Sequence, residues 1–187
     1  MRVIAGKAGR LLLKSVPGYT TRPTVDKYKE TLFNILAPYI PGARFLDLFA
    51  GSGAIGIEAL SRGAAECVFA EKDMRAVKVI RENLRHTKLD ADARVMPGDA
   101  GVVLAGLDRE GRSFDIIFMD PPYAGGFYES ILTFLSSSSL LNDDTVIVAE
   151  AALHEDFSFL EDTGLTEYRR KEYKTNMHVF IKRRGNG

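Results

Sequence analysis

From Arg44 to Ala151, apolar runs too short to be helices alternate in strict turn with segments of helical period. This alternation limits the possible folds more than any other feature of the chain. "RFLDLFA", "ECVFAE", "ARVMPGD", "FDIIFMD" and "DTVIVAEA" read as strands, and residues 54–62, 74–89, 100–107 and 126–135 as helices. The strands are apolar on both faces, so they predict a parallel sheet covered on both sides, a doubly wound α/β domain. Upstream, Val25, Tyr28, Leu32, Ile35, Leu36 and Tyr39 recur at helical steps. They predict a helix over 25–36, with Thr24 as N-cap and Pro38 and Pro41 ending it. Downstream, after a short helix over 156–162, "LTEYRRKEY" and "MHVFIKR" are joined by "KTN". So short a link cannot carry a crossover, so these two strands are expected to be antiparallel.

A chain of 187 residues, 45% of them hydrophobic, can bury one sizeable core. Ahead of it, Val3 to Ala5 and Leu11 to Leu13 flank "GKAGR", a glycine-containing turn suited to a β-hairpin. The expected division is a hairpin extension over 1–22 and a main domain over 23–187. Cys67 is the single cysteine and no leader or long apolar run appears, which predicts a soluble cytoplasmic protein, here expected to be a monomer. Lys and Arg outnumber acids seven to two over 1–30 and again over 165–187, while the middle carries eleven against twenty-one. Such ends suit a polyanion, although solvated tails would look the same. Arg2, Lys7, Arg10, Lys14 and Arg22 are the candidate phosphate contacts, and Tyr168 and Tyr173 alternate with basic residues on the strand beyond. His86, His154 and His178 are too scattered to predict a metal site.

"DLFAGSGAIGIEA" sets Gly51, Gly53 and Gly56 between the first strand of the alternation and its helix. Glycines there let backbone and helix N-terminus approach a ligand, and Glu71, twenty positions beyond Gly51, suits a ribose. An adenosine-type ligand is expected. A nicotinamide dinucleotide and S-adenosylmethionine both supply one. Asp47, four residues before the glycines, favours the second: a carboxylate repels a pyrophosphate and welcomes an amino group and a sulfonium. Asp47 could also serve only as a strand-end cap. In "PGDA", Asp99 and Ala100 could take an adenine amine, or simply begin a helix.

"FMDPPYAGG" ends a strand on Asp120, at the edge where open α/β sheets bind ligands. Pro121 and Pro122 remove two donors and stiffen the exit, leaving carbonyls free to accept and holding Tyr123 over the crevice. A carboxylate, a free carbonyl and a ring suit a planar group bearing an amine, such as an unpaired nucleobase. No metal is required for its methylation.

"RVIAGKAGR", "RPTVDKYKETLFNIL", "DLFAGSGAIGIEALSRGA", "EKD", "DPPY" and "KEYKTN" together resemble the class I methyltransferases of exocyclic amines. More narrowly, they resemble the RsmD family, guanine-N2 methyltransferases of bacterial 16S ribosomal RNA. The resemblance implies a seven-stranded Rossmann-like sheet with its last strand antiparallel, and 16S rRNA or an assembling small subunit as partner. It places Asp47, Gly51, Ser52 and Gly53 at the methionine end of S-adenosylmethionine, Glu71 at the ribose hydroxyls, and Asp99 and Ala100 at the adenine, with Phe49, Ala50 and Lys72 also against the cofactor. Asp120, Pro121, Pro122 and Tyr123 become the catalytic set. The rivals are adenine-N6 methylation, a nicotinamide-dependent dehydrogenase, which leaves "DPPY" unexplained, and a non-catalytic RNA-binding factor.

Overall fold

A computed structural model describes residues 1–16, 23–122 and 126–185, with the side chains of 23–25 left aside. Helix α1 (Pro23–Leu36) precedes strand β1 (Arg44–Leu48), helix α2 (Ala54–Ser61) and strand β2 (Glu66–Glu71). Helix α3 (Met74–Thr87), strand β3 (Ala93–Pro97), helix α4 (Ala100–Arg109) and strand β4 (Phe114–Met119) follow. Helix α5 (Phe127–Ser137), strand β5 (Leu141–Ala152), strand β6 (Leu165–Glu172) and strand β7 (Asn176–Arg183) complete the order, with short 3₁₀ turns at Asp90–Asp92 and Ser158–Asp162.

These elements agree with the expected alternation to within a few residues. Helix α1 opens at Pro23, ahead of Thr24, because proline lacks only a donor that the first turn leaves unpaired anyway. The segment over 156–162 is a 3₁₀ turn, not an α-helix. The seven strands order as β3-β2-β1-β4-β5-β7-β6. Strands β1 to β5 pair in parallel and β7 runs antiparallel to both β5 and β6.

Two apolar layers sandwich the sheet. Leu32, Phe33 and Leu36 of α1, Ile57 and Leu60 of α2, and Ile80 and Leu84 of α3 pack on the face carrying Phe45, Phe69, Phe118, Val148 and Phe180. Val103, Leu104 and Leu107 of α4, with Ile131, Leu132 and Leu135 of α5, pack on the opposite face. Side chains alternate along a strand, so Asp47, Glu71 and Glu150 share the face of α1 to α3, and Asp120, one step beyond β4, continues it. All lie at the carboxyl edge.

The amino-terminal residues fold back on themselves with a single antiparallel bridge, Arg2 to Leu12, rather than a regular hairpin. Arg10 takes φ +74° to close the turn. Val3, Ala8 and Leu13 join the core beside α1 and α2, so the arm is sealed to the domain. Its backbone is held by a buried carboxylate: Glu58 accepts from Ile4 N–H (2.7 Å) and Ala5 N–H (3.0 Å) and pairs with Lys29 (3.3 Å) and Arg62 (2.7 Å). Lys29 Nζ also donates to the Arg2 carbonyl at 2.6 Å. Desolvation lowers the Lys29 ammonium from its ordinary range, opposed by Glu58. Among the described residues no helix is long and apolar enough to cross a membrane.

Candidate active site at the carboxyl edge of the sheet

The turn after β1 is bent by Phe49 (φ +73°), Gly51 (φ +54°) and Gly53 (φ +79°). A left-handed Phe is costly, and such strain gathers where a backbone path is dictated by function. Gly51 has open space where a side chain would stand, whereas a Cβ on Gly56 would lie 2.3 Å from the Phe69 ring. The first glycine therefore leaves a cradle, and the third lets α2 pack on β2. The Gly51 N–H points at protein, donating to Glu71 Oε2 at 2.8 Å, while Glu71 Oε1 accepts from Asp73 N–H at 2.8 Å. Glu71 is thus fixed in place with lone pairs left over.

Asp47 lies beneath this loop, 1% exposed, with Oδ2 accepting from Gly56 N–H at 2.9 Å. Burial pushes its carboxyl up to about 7, and the Glu71 carboxylate adds to this, against the pull of the Gly56 N–H. The cap reading of Asp47 therefore holds for its hydrogen bond, and its charge reaches the crevice only through space. Asp99 is exposed and caps α4 by accepting from Gly101 N–H at 3.0 Å, and Ala100 is buried in the first turn. Lys72 is exposed.

Asp120 follows β4, one residue past the pairing of Met119 with both Leu48 and Ala149. The residue as a whole is exposed, yet its carboxyl is held well above the ordinary range, first by the protein around it and then by Glu150 and Asp47. Water therefore reaches this residue while the neighbouring protein still disfavours its charge. Pro121 is buried and Pro122 exposed. Tyr123 and Arg22 lie outside the described residues.

Several neighbours of Asp120 are not among the expected site residues, although Tyr173 and Asn176 fall within "KEYKTN". Glu150 lies opposite His178 across β5 and β7. One of its carboxylate oxygens accepts from Asn176 Nδ2, and the other is 3.3 Å from His178 Nε2. His178 Nδ1 lies 3.0 Å from the Tyr173 hydroxyl, and the Tyr173 ring packs on Tyr28 of α1. Burial, then Glu150, raises the Tyr173 phenol to about 12. The sequence signal for Glu150 is the recurrence of an acid at the ends of β1, β2, β4 and β5, which only assembly of the sheet turns into one edge. Asn83 of α3, also unmarked, donates to Ser52 O and Lys14 O (3.0 Å each) and accepts from Lys14 N–H (2.8 Å), tying the arm to the glycine turn. Phe127 meets Phe49 edge-on at 5.6 Å, joining that turn to α5.

Of the candidate phosphate contacts, Arg2 and Arg10 line one polar cleft with Asp26, Lys27 and Glu30, and Arg2 Nε lies 3.7 Å from Asp26. Lys14 pairs with Glu82 at 2.8 Å, and Lys7 is exposed on the turn. No cluster of possible metal ligands occurs among the described residues.

A Rossmann-like sheet of this strand order, with a glycine turn after β1 and an Asp-Pro-Pro exit after β4, defines a class I methyltransferase. The family described as "Conserved hypothetical protein 95", the RsmD family, matches residues 1–182, and the chain belongs to it. YlbH of Bacillus subtilis (strain 168) is 40% identical over 187 residues, covering 99% of this chain and 100% of its own. Ribosomal RNA small subunit methyltransferase D of Escherichia coli (strain K12) is 39% identical over 153 residues, 81% of this chain and 74% of its own. The solved structure of yhhF from Escherichia coli superposes with a TM-score of 0.83 at 34% identity, over 98% of this chain and 97% of that one.

Proposed function

We propose that the protein transfers a methyl group from S-adenosylmethionine to the exocyclic N2 amine of a guanine in 16S ribosomal RNA. The observation that carries this reading is Asp120, a carboxylate at the carboxyl end of β4, followed at once by two prolines and set by strand register next to the end of β1, from which the glycine turn departs. The relative in Escherichia coli named for the small ribosomal subunit supports the RNA class.

The residues present fit the cofactor. Gly51 leaves a cradle, Glu71 is fixed with lone pairs free for ribose hydroxyls, and Asp99, exposed at the start of α4, keeps acceptor capacity for an adenine amine. Among the described residues no Lys or Arg pairs with Asp47, Asp120 or Glu150, so their ionisation lacks a counter-charge. A bound cation would supply it, whereas the pyrophosphate of a nicotinamide dinucleotide would oppose it. S-adenosylmethionine supplies the methyl on a sulfonium and keeps the C–S electron pair, so only a proton remains for the protein to handle.

The chain's own part is to present the amine. Asp120 accepts from one amine hydrogen and the Pro121 carbonyl from the other, which turns the nitrogen lone pair out of conjugation with the ring. Tyr123 supplies the stacking face for a base that must be unpaired. Arg2, Lys7, Arg10, Lys14 and Arg22 hold phosphates without reading sequence.

Small-subunit RNA, free and in assembled particles, is incubated with labelled S-adenosylmethionine, and the label is mapped by mass spectrometry. The expected product is N2-methylguanine. In Asp120→Ala turnover falls about 10²-fold or more while S-adenosylhomocysteine still binds. Label on adenine N6 moves the function to that amine, and binding of RNA with no transfer to any form leaves a non-catalytic factor.

A further inference from the structure

We propose that Glu150, locked by Asn176 and His178, is a positioning residue that acts through Asp120, making Asp120 the acceptor of the proton that the substrate amine sheds. The inference rests on the amine methyltransferase reading above. It starts from a row of side chains set by strand register. Asp120 ends β4 one step beyond Met119, Met119 pairs with Ala149, and Glu150 pairs with His178 across the antiparallel junction. Parallel and antiparallel pairing thus bring a carboxylate, a second carboxylate and an imidazole side by side.

The second carboxylate is held firmly. Asn176 is 5% exposed and gives its Nδ2 to Glu150, while its own Oδ1 is buried with no partner among the described residues. Turning the amide over would set two oxygens against each other, so the orphaned Oδ1 is the cost of gripping Glu150. His178 is 1% exposed, with one ring nitrogen at Glu150 and the other at the Tyr173 hydroxyl. A phenol that donates to Nδ1 leaves Nε2–H to donate to the carboxylate, so the neutral ring suffices for both bonds. Tyr173 is backed in turn by Tyr28. The protein therefore anchors an acid through Asn176 and His178, with no Lys or Arg among the described residues pairing with it, and sets it beside another acid.

The consequence falls on Asp120. Its charged neighbours are Glu150 from β5 and Asp47 from β1, with His178 and the Tyr173 and Tyr28 phenols behind Glu150. An anion at Glu150 makes the Asp120 carboxylate a stronger base than a lone aspartate. When the nitrogen lone pair becomes the N–CH₃ bond, one N–H proton passes to Asp120 Oδ, and its bonding pair restores the lone pair. Asp120 is then neutral and releases the methylated amine, and solvent, which reaches the exposed Asp120, takes the proton.

The test titrates the carboxyl carbons by ¹³C NMR in the ligand-free protein, comparing wild type, Glu150→Gln and Glu150→Asp. In Glu150→Gln the Asp120 midpoint should fall by about one pH unit, the usual effect of one neighbouring charge, and in Glu150→Asp it should return towards wild type. Wild type serves as an internal check: the Asp120 curve should show two steps, as a carboxyl set beside a second one does. The pH profile of single-turnover methyl transfer should move its acid limb down by the same amount in Glu150→Gln. An Asp120 midpoint that stays put, or a single-step Asp120 curve in wild type, overturns the inference whatever the activity. Absence of methyl transfer from wild type to any RNA overturns the methyltransferase reading, and this inference with it.

Discussion

Asp47→Asn should stabilise the ligand-free protein at neutral pH while weakening its hold on a sulfonium. The Asp47 carboxyl is 1% exposed, has one hydrogen bond, from Gly56 N–H, and has its pKa pushed from 3.8 to about 7. A folded-state value above the unfolded one means that the folded protein binds the proton more tightly. The contribution is therefore full below pH 3.8 and is lost as pH rises to about 7. Three units at roughly 1.4 kcal/mol each give about 4 kcal/mol lost across that window. An asparagine keeps an acceptor for Gly56 N–H and has no charge to bury, so the mutant lacks this slope. Urea unfolding of both proteins at pH 4.5, 6 and 7.5 isolates the effect, because titrating groups away from Asp47 cancel in the difference, and the relief of Asp120, which Asp47 raises, acts with the same sign. The mutant should gain on wild type by a few kcal/mol between the lowest and highest pH, and S-adenosylmethionine, but not S-adenosylhomocysteine, should bind it more weakly. A difference that does not change with pH would refute the reasoning.

Two further outcomes follow from the arm. Glu58→Gln strands the buried Lys29 ammonium and should cost about 3–5 kcal/mol, read by chemical denaturation; adding Lys29→Met should recover part of this, and equal losses in the single and double mutants would contradict the pairing. Gly6→Ala forces a Cβ to within 1.8 Å of Ser61 O at φ +82°, so the arm must lift. Its signature is a shallower salt dependence of RNA binding, the slope falling by about one for each phosphate the arm no longer neutralises, at unchanged cofactor affinity; an unaltered slope would remove the arm from the RNA interface.

The legible parts of the site are those where chemistry and chain direction coincide. Asp120 with its prolines, and the three glycines after β1, are contiguous, and their placement at strand ends follows from the alternation alone. Glu150, Asn176, His178 and Tyr173 are not legible as a set. Glu150 pairs with His178 twenty-eight residues on, through a register that depends on β7 inserting between β5 and β6. Asn83 carries no signal either, since an asparagine on a helix binds the glycine turn and the arm only when α3 is packed against both.

By itself, the sequence determined the element order, the parallel body with its antiparallel end, and the placement of Asp47, Glu71 and Asp120 at strand ends, because hydrophobic period and turn chemistry are local properties. Only the tertiary structure decided that Asp47 turns under the loop to Gly56, that Gly51 gives its N–H to Glu71, and that the arm is sealed down by Glu58. The reason is that a buried polar atom must find a partner wherever the fold offers one, and which partner lies within about 3 Å is set by packing between segments far apart in the chain.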